Sequence, residues 1–373
     1  MRPDRARLAL VVCFCVACAA CGKEGANASD ALGGASGGAT GGAPASSDLP
    51  LLLYDRDDDD PTNDFGDNRP TVITHHGDSL YWVELASEGP RIMRAPKDGS
   101  AQPRKLGTRS TFDVAEISAS ARYVFWQDNG TMVAYELQTG TRRDIGKLID
   151  DGYGGPSLAV GNDWAAFADS SCRGVATVNL ETWEVTNAKI HADLRGGVTA
   201  LAAIDSTVYC ANGPEIIRVD LGESEAARVW EWKPNASNEL PKAVYTMAAG
   251  LGKLIFRLSR TNKGASVRWS SLQVLDPADP PATLLREFDG ASSVSFGLSA
   301  EQGVVFFGES HHLEGVSALE LSQPDASPRR LHGEAFLQAP LAVDDRFIYW
   351  TESAAPNDRP NAKNAIYRQK KPK

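Results

Sequence analysis

A short apolar run ending in an aromatic pair, or in its smaller apolar equivalent, returns seven times: Leu80-Tyr81-Trp82, Val124-Phe125-Trp126, Ala165-Ala166-Phe167, Val208-Tyr209-Cys210, Leu254-Ile255-Phe256, Val305-Phe306-Phe307 and Ile348-Tyr349-Trp350. The last residues of successive runs stand 41 to 51 positions apart. A unit of that size cannot bury its apolar surface alone, so the fold has to stack one repeat against the next. Before each run comes a small-residue strand ending in a turn, as in Ile117-Ser118-Ala119-Ser120 or Leu201-Ala202-Ala203-Ile204-Asp205. After it come a polar loop, an alternating strand such as Met132 to Leu137, a tight turn such as Gln138-Thr139-Gly140, and a polar fourth strand such as Thr141 to Ile145. Period-two alternation between Gly, Asp and Asn turns reads as antiparallel meander strands, and convincing amphipathic helices are absent.

Four strands per unit, seven units and a folded part of about 325 residues predict an all-β, seven-bladed β-propeller of four-stranded antiparallel blades. Ring closure removes the open sheet edges that would template aggregation. Ala, Ser and Gly on the inner strand suit the crowded axis, and the aromatics of the second strand are expected to fill the space between blades. The last repeat stops after its third strand, Ala365-Ile366-Tyr367-Arg368-Gln369, while a spare apolar run, Leu49-Pro50-Leu51-Leu52-Leu53-Tyr54, precedes the first inner strand near Thr71-Val72-Ile73-Thr74. The spare run is predicted to close the ring as the outer strand of the last blade.

The N-terminus has the parts of an export signal: Arg2, Arg5 and Arg7, an apolar stretch from Leu8 to Val16 too short to span a bilayer, and small residues at Cys18-Ala19-Ala20-Cys21. A small-residue pair before a Cys followed by Gly22 resembles a lipobox. The resemblance implies a signal peptide over residues 1–20, a lipidated Cys21 and retention at the outer membrane of a Gram-negative cell envelope, on its periplasmic or outer side. Cleavage before Cys18, and an ordinary signal peptide without lipid, are the alternatives. Residues 21–47 are mostly Gly, Ala, Ser and Thr, a flexible tether whose mean reach is roughly 25 to 30 Å. The propeller domain then covers residues 48–373. Loss of residues 1–20 removes three arginines and one aspartate and takes the formal net charge from −10 to −12. So acidic a domain is a poor nucleic-acid binder. Of the six cysteines only Cys172 and Cys210 fall in the folded part. Both are placed near one face of neighbouring blades, so a disulfide between them and a pair of free thiols are both open readings.

The segments Gly77 to Glu84 and Asp345 to Glu352 resemble the YWTD-type propeller repeat, with Glu in place of its Asp, and Val133 to Gly140 resembles the quinoprotein-like blade. The resemblance implies the fold over most of residues 70–373. It implies no particular activity, because propellers host enzymes, ligand binders and scaffolds alike.

Two residues past each aromatic run stand Glu84, Asp128, Asp169, Asn212, Leu258, Glu309 and Glu352. A ring of ligand groups is one reading; the favoured one is structural, with each acid accepting backbone N–H bonds from the adjacent loop. Asp55, Asp57 and Asp59 have the alternate spacing of a calcium loop, but the Gly and Glu that such a loop needs are missing, so a solvated acidic loop is favoured over a weak calcium site. His75-His76 are placed between inner and second strands and His311-His312 between second and third, on opposite faces, so they share no metal. No nucleophile elbow, zinc helix or phosphate loop is present.

These observations favour a noncatalytic binding or scaffolding module, monomeric, held at the membrane by its lipid and contacting an envelope protein or a glycan. Its surface is expected on the face made by second-to-third-strand and blade-to-blade loops, the longest being 148–155, 233–242, 258–265, 308–315 and 351–364. Asn235, Glu239, Arg260, Lys263, His311, His312, Asn357 and Arg359 are the interface candidates. The alternative is a secreted hydrolase or lyase acting on polysaccharide or peptide at the axial mouth, with Asp150, Asp151, Asp169 and Glu309 as its carboxylates.

Overall fold

Every blade is buried on both faces, and this is what the doubled aromatic signal encodes. The computed structural model describes residues 50–55, 69–86, 89–109, 116–128, 131–147, 157–168, 174–189, 198–221, 223, 225–233, 239–240, 244–262, 268–289, 294–299, 302–309, 316–323, 327–332, 341–352 and 364–372. All of them belong to one compact unit, residues 46–373. They form seven antiparallel sheets, six of them built from inner to outer strand in chain order. Blades 1 to 6 cover residues 69–108, 117–147, 157–189, 198–231, 239–289 and 294–332, and blade 7 combines residues 342–370 with the N-terminal strand Leu51–Asp55. The fold is therefore a seven-bladed β-propeller. Among the described residues no helix is long and apolar enough to cross a membrane.

In a strand, consecutive side chains point to opposite faces. The last residue of each run accordingly packs on the preceding blade: Trp126 lies with Tyr81 and Val83, Phe167 with Phe125, Phe256 with Tyr209, Phe307 with Ile255, Trp350 with Phe306 and Trp82 with Tyr349. The residue before it packs on the following blade. Seven apolar wedges result, one per blade boundary. Between blades 3 and 4 the pair is small, Ala166 against Cys210, and Trp164 on the same face of the strand supplies the bulk.

Blade 5 departs from the expected pattern. Its second strand, Lys253–Asn262, is ten residues long. Its inner side is met by two pieces, Val244–Gly250 and the two-residue strand Glu239–Leu240, which pairs with Thr261 and Asn262. Glu239 and Arg260, expected in loops, therefore lie on strands: the second strand runs on past Leu258, and the ladder continues on both of its sides.

The N-terminal strand pairs with Ala365–Lys370, with Leu52 opposite Tyr367 and Asp55 opposite Ala365, so the closure read from the sequence is present. Polar bonds reinforce it. The Thr351 hydroxyl donates to Thr71 O at 2.8 Å, His75 Nε2 meets Val343 O at 2.8 Å, and Arg368 Nη1 donates to Lys97 O at 2.8 Å. Tyr54 stacks on Trp82 with centroids 5.9 Å apart, and its hydroxyl donates to Pro96 O. Asp344 takes the Lys97 ammonium at 2.7 Å, the Tyr349 hydroxyl at 2.9 Å and the N–H groups of Arg346 and Phe347.

Burial alone would raise the Asp344 carboxyl, but Lys97 and the three further donors override it and hold it at about 2. A carboxyl held below its unfolded value stabilises the fold above that value and ceases to do so as pH falls through about 2. Asp344→Asn should cost about 2 kcal/mol at pH 7, since a tenfold change in proton affinity corresponds to about 1.4 kcal/mol. It should also flatten the fall in stability between pH 4 and pH 2, as guanidinium denaturation would measure; a variant with the wild-type acid profile would contradict the role of this clasp.

Candidate functional site

Of the polar residues two places past each aromatic run, Glu84, Asp128 and Glu352 have side-chain partners within their own blades. Glu84 Oε2 accepts from the Trp82 indole N–H at 3.4 Å and Glu352 Oε1 from the Trp350 indole at 3.0 Å; Glu84 also faces Arg91 at 3.6 Å. Asp128 is one methylene shorter and pairs with Arg142 at 2.9 Å. The Trp126 indole N–H is buried with no acceptor among the described residues. Leu258 joins the wedge between blades 4 and 5. Asp169 and the side chain of Glu309 lie outside the described residues. Leaving a buried donor unpaired costs about 1 to 3 kcal/mol. Asp128→Glu, which restores the reach of Glu84 and Glu352, should therefore raise stability by about 1 kcal/mol in a thermal melt. A lower melting temperature would show that the indole is not the limiting group.

The inner ends of the hairpins joining inner to second strands converge at one mouth of the axis. A recess of about 470 Å³ opens there, with His76, Ser120, Asn162, Asp163, Asp205 and Ser206 among its lining, and Trp164 and Leu221 in its wall. Four consecutive blades contribute, which only the axis permits. Local sequence explains the tips. Asp205 takes a positive φ of 52°, a conformation its short polar side chain tolerates in a two-residue turn. Gly161 leaves room for the indole of Trp164: a Cβ there would stand 2.3 Å from Nε1. His75 and His76, expected between strands, are the last residues of the inner strand Arg69–His76. Burial first, and then Lys97, lowers the pKa of both. Among the described residues no cluster of His, Cys, Asp and Glu has the grouping of a metal site.

Glu116 stands near the other end of the inner strands. Its carboxylate accepts the Leu158 N–H at 2.7 Å, tying blade 2 to blade 3. The side chain is otherwise exposed, so the tie lies at the surface. Glu116→Ala should remove it and lower stability by about 1 kcal/mol in guanidinium denaturation at pH 7; an unchanged midpoint would refute the contribution of the tie.

Cys21, Asp57, Asp59, Asn235, Lys263, His311, His312, Asn357 and Arg359 lie outside the described residues, as do Asp150, Asp151 and the side chains of Asp55, Glu239 and Arg260. So does Cys172; its proposed partner Cys210 is fully buried, and burial pushes its thiol up to about 12. The recess was missed because short inner hairpins read as plain turns. The available signal was the recurrence of Ser120, Asn162-Asp163 and Asp205-Ser206 at the same point of three successive repeats.

No protein-family model matches the sequence, and no curated protein does. Solved structures do. The chain is similar to the extracellular domain of the one-component system BT4673 from B. thetaiotaomicron, at 10% identity over 81% of this chain and with a TM-score of 0.53; it spans only 38% of that chain's length. It is also similar to the RRP9 WD40 repeats, at 12% identity, 88% of this chain, 99% of that one and a TM-score of 0.60. A chain in the mitotic checkpoint complex matches at 13% identity, 88% and 96% coverage and a TM-score of 0.58. At such identities these likenesses establish the propeller fold.

Proposed function

We propose that the protein is a lipid-anchored, extracytoplasmic propeller that acts as a noncatalytic binding or scaffolding module in the cell envelope. The observation that carries the reading is the axial recess, a polar hollow assembled by four blades on a rigid ring. Buried wedges fix the blades, so the hairpin tips present their side chains preorganised, which lowers the entropy lost on binding. The fold supports it too: one similar structure is an extracellular domain, and another is a chain of a multi-protein complex. The lipobox-like N-terminus and the Gly-rich tether supply the anchor, and the acidic charge favours partners other than nucleic acid.

The test is crosslinking and recovery of the full-length protein from native envelopes, followed by reconstitution with the purified partner. One envelope protein or glycan recovered in stoichiometric amount, and rebinding in isolation, is the expected result. Cys21→Ala should move the protein from the membrane pellet to the soluble fraction. Absence of any partner that rebinds, or retention of the variant in membranes, would overturn the binding role or the anchor respectively.

A further inference from the structure

The boundary that closes the ring has a titratable group at its inner end. His75, next to last in the inner strand of blade 1, meets Val343 O of the inner strand of blade 7 through Nε2 at 2.8 Å, across 268 positions of sequence. A carbonyl only accepts, so Nε2 carries the proton and the neutral ring keeps Nδ1 as a bare acceptor. Nδ1 is buried and has no partner among the described residues. Among the described side chains the only other histidine is His76, so no second boundary described here carries the same group.

The surroundings of the ring oppose a second proton. Lys97 of blade 1 holds its ammonium 5.7 Å from the centre of the Tyr349 ring, and the His75 ring lies 6.5 Å from that same ring. Lys97 and His76 disfavour a charge on His75, while Asp344 of blade 7 favours one. Both Asp344 oxygens are already engaged, however: Oδ2 takes the Lys97 ammonium and the Tyr349 hydroxyl, and Oδ1 takes the N–H groups of Arg346 and Phe347. Two further cations, Arg346 and Arg368, act on Tyr349. A proton on Nδ1 thus makes a buried donor with no acceptor, close to an ammonium. Burial first, and then Lys97, accordingly holds the pKa of His75 below the ordinary imidazole value.

We propose that the contact between His75 and Val343 is an acid-sensitive latch on ring closure: protonation of His75 loosens blade 7, with its N-terminal strand 51–55, from blade 1 while the other boundaries hold. In the opened ring His75 is solvated and takes the ordinary pKa near 6.5, and the closed ring binds that proton less well. The latch therefore stabilises closure fully above about pH 6.5 and weakens as pH falls below it. Each further pH unit favours the open ring by up to about tenfold, until the pKa of the closed ring is reached. The Asp344 clasp does not share this window, since its carboxyl is held at about 2. Release here acts on the strand into which residues 21–47 lead, and it requires nothing of the binding-module reading.

The test is hydrogen–deuterium exchange of the full-length protein in detergent from pH 7.5 to pH 5, each rate divided by the intrinsic chemical rate at that pH. Opening of residues 51–55, 342–352 and 365–370 should rise by about tenfold or more on acidification, with residues 198–231 of blade 4 as the unmoved reference. His75→Gln, whose side-chain amide can still donate to Val343 O, should keep the protection at pH 7.5 and lose the rise; matched thermal melts at pH 7.5 check that it folds. His76→Gln should retain the rise. An equal rise in every blade, no rise in blade 7, a rise that persists in His75→Gln, or its loss in His76→Gln instead would overturn the proposal. Rebinding of an envelope partner enters none of these readouts, so the latch and the binding role stand or fall separately.

Discussion

Burial of both faces of every sheet is the constraint from which the rest of the structure follows. A blade with one apolar face would need bulky residues at alternate positions only. Here Tyr81 and Trp82, Phe125 and Trp126, Phe306 and Phe307, and Tyr349 and Trp350 are all buried as adjacent pairs, each member facing a different blade. The wedge between blades is thus composite, half from one repeat and half from the next. No blade is complete without its neighbours, so stability is nearest-neighbour in character and the ring has to close.

Closure concentrates polar interactions at one boundary. The last blade takes its outer strand from residues 51–55, so its integrity depends on joining the two ends of the folded chain. The clasp of Asp344 with Lys97, and the bonds from Thr351, Arg368 and Tyr54 to blade 1, hold that joint. They link residues more than forty positions apart, and most of them link residues more than two hundred apart. Such contacts close long loops, whose entropic cost the intervening wedges offset.

The same logic separates the acids that the fold fixes from those it leaves at the surface. Glu84 and Glu352 are fixed by indole N–H groups at the end of the second strand, and Asp344 by its clasp. Asp163 and Asp205 stand on exposed tips where the chain reverses, and neither enters an ion pair among the described residues. A propeller's rigid inner hairpins place such residues accurately without asking anything of them for stability. Function can therefore be written on the tips while the wedges stay unchanged.

The repeat count, the strand order within a blade and the strand that closes the ring were all legible in the sequence. Each rests on local alternation and on a period, and both survive in any fold that buries two faces of a short sheet. Cys210 at an aromatic position was readable as core for the same reason. The face carrying the recess, the partners of the acids past each aromatic run and the extended ladder of blade 5 were decided only in three dimensions. Asp163 and Asp205 are 42 residues apart, and Thr351 and Thr71 are 280 apart. No local pattern records such neighbours, because what brings them together is the packing of wedges between blades and not any preference of the residues themselves. The Trp82 indole meets Glu84, while Asp128, the shorter acid at the same place of the next repeat, meets Arg142. Sequence determines which side chains are present at each place in the repeat; the packed ring determines which of them meet.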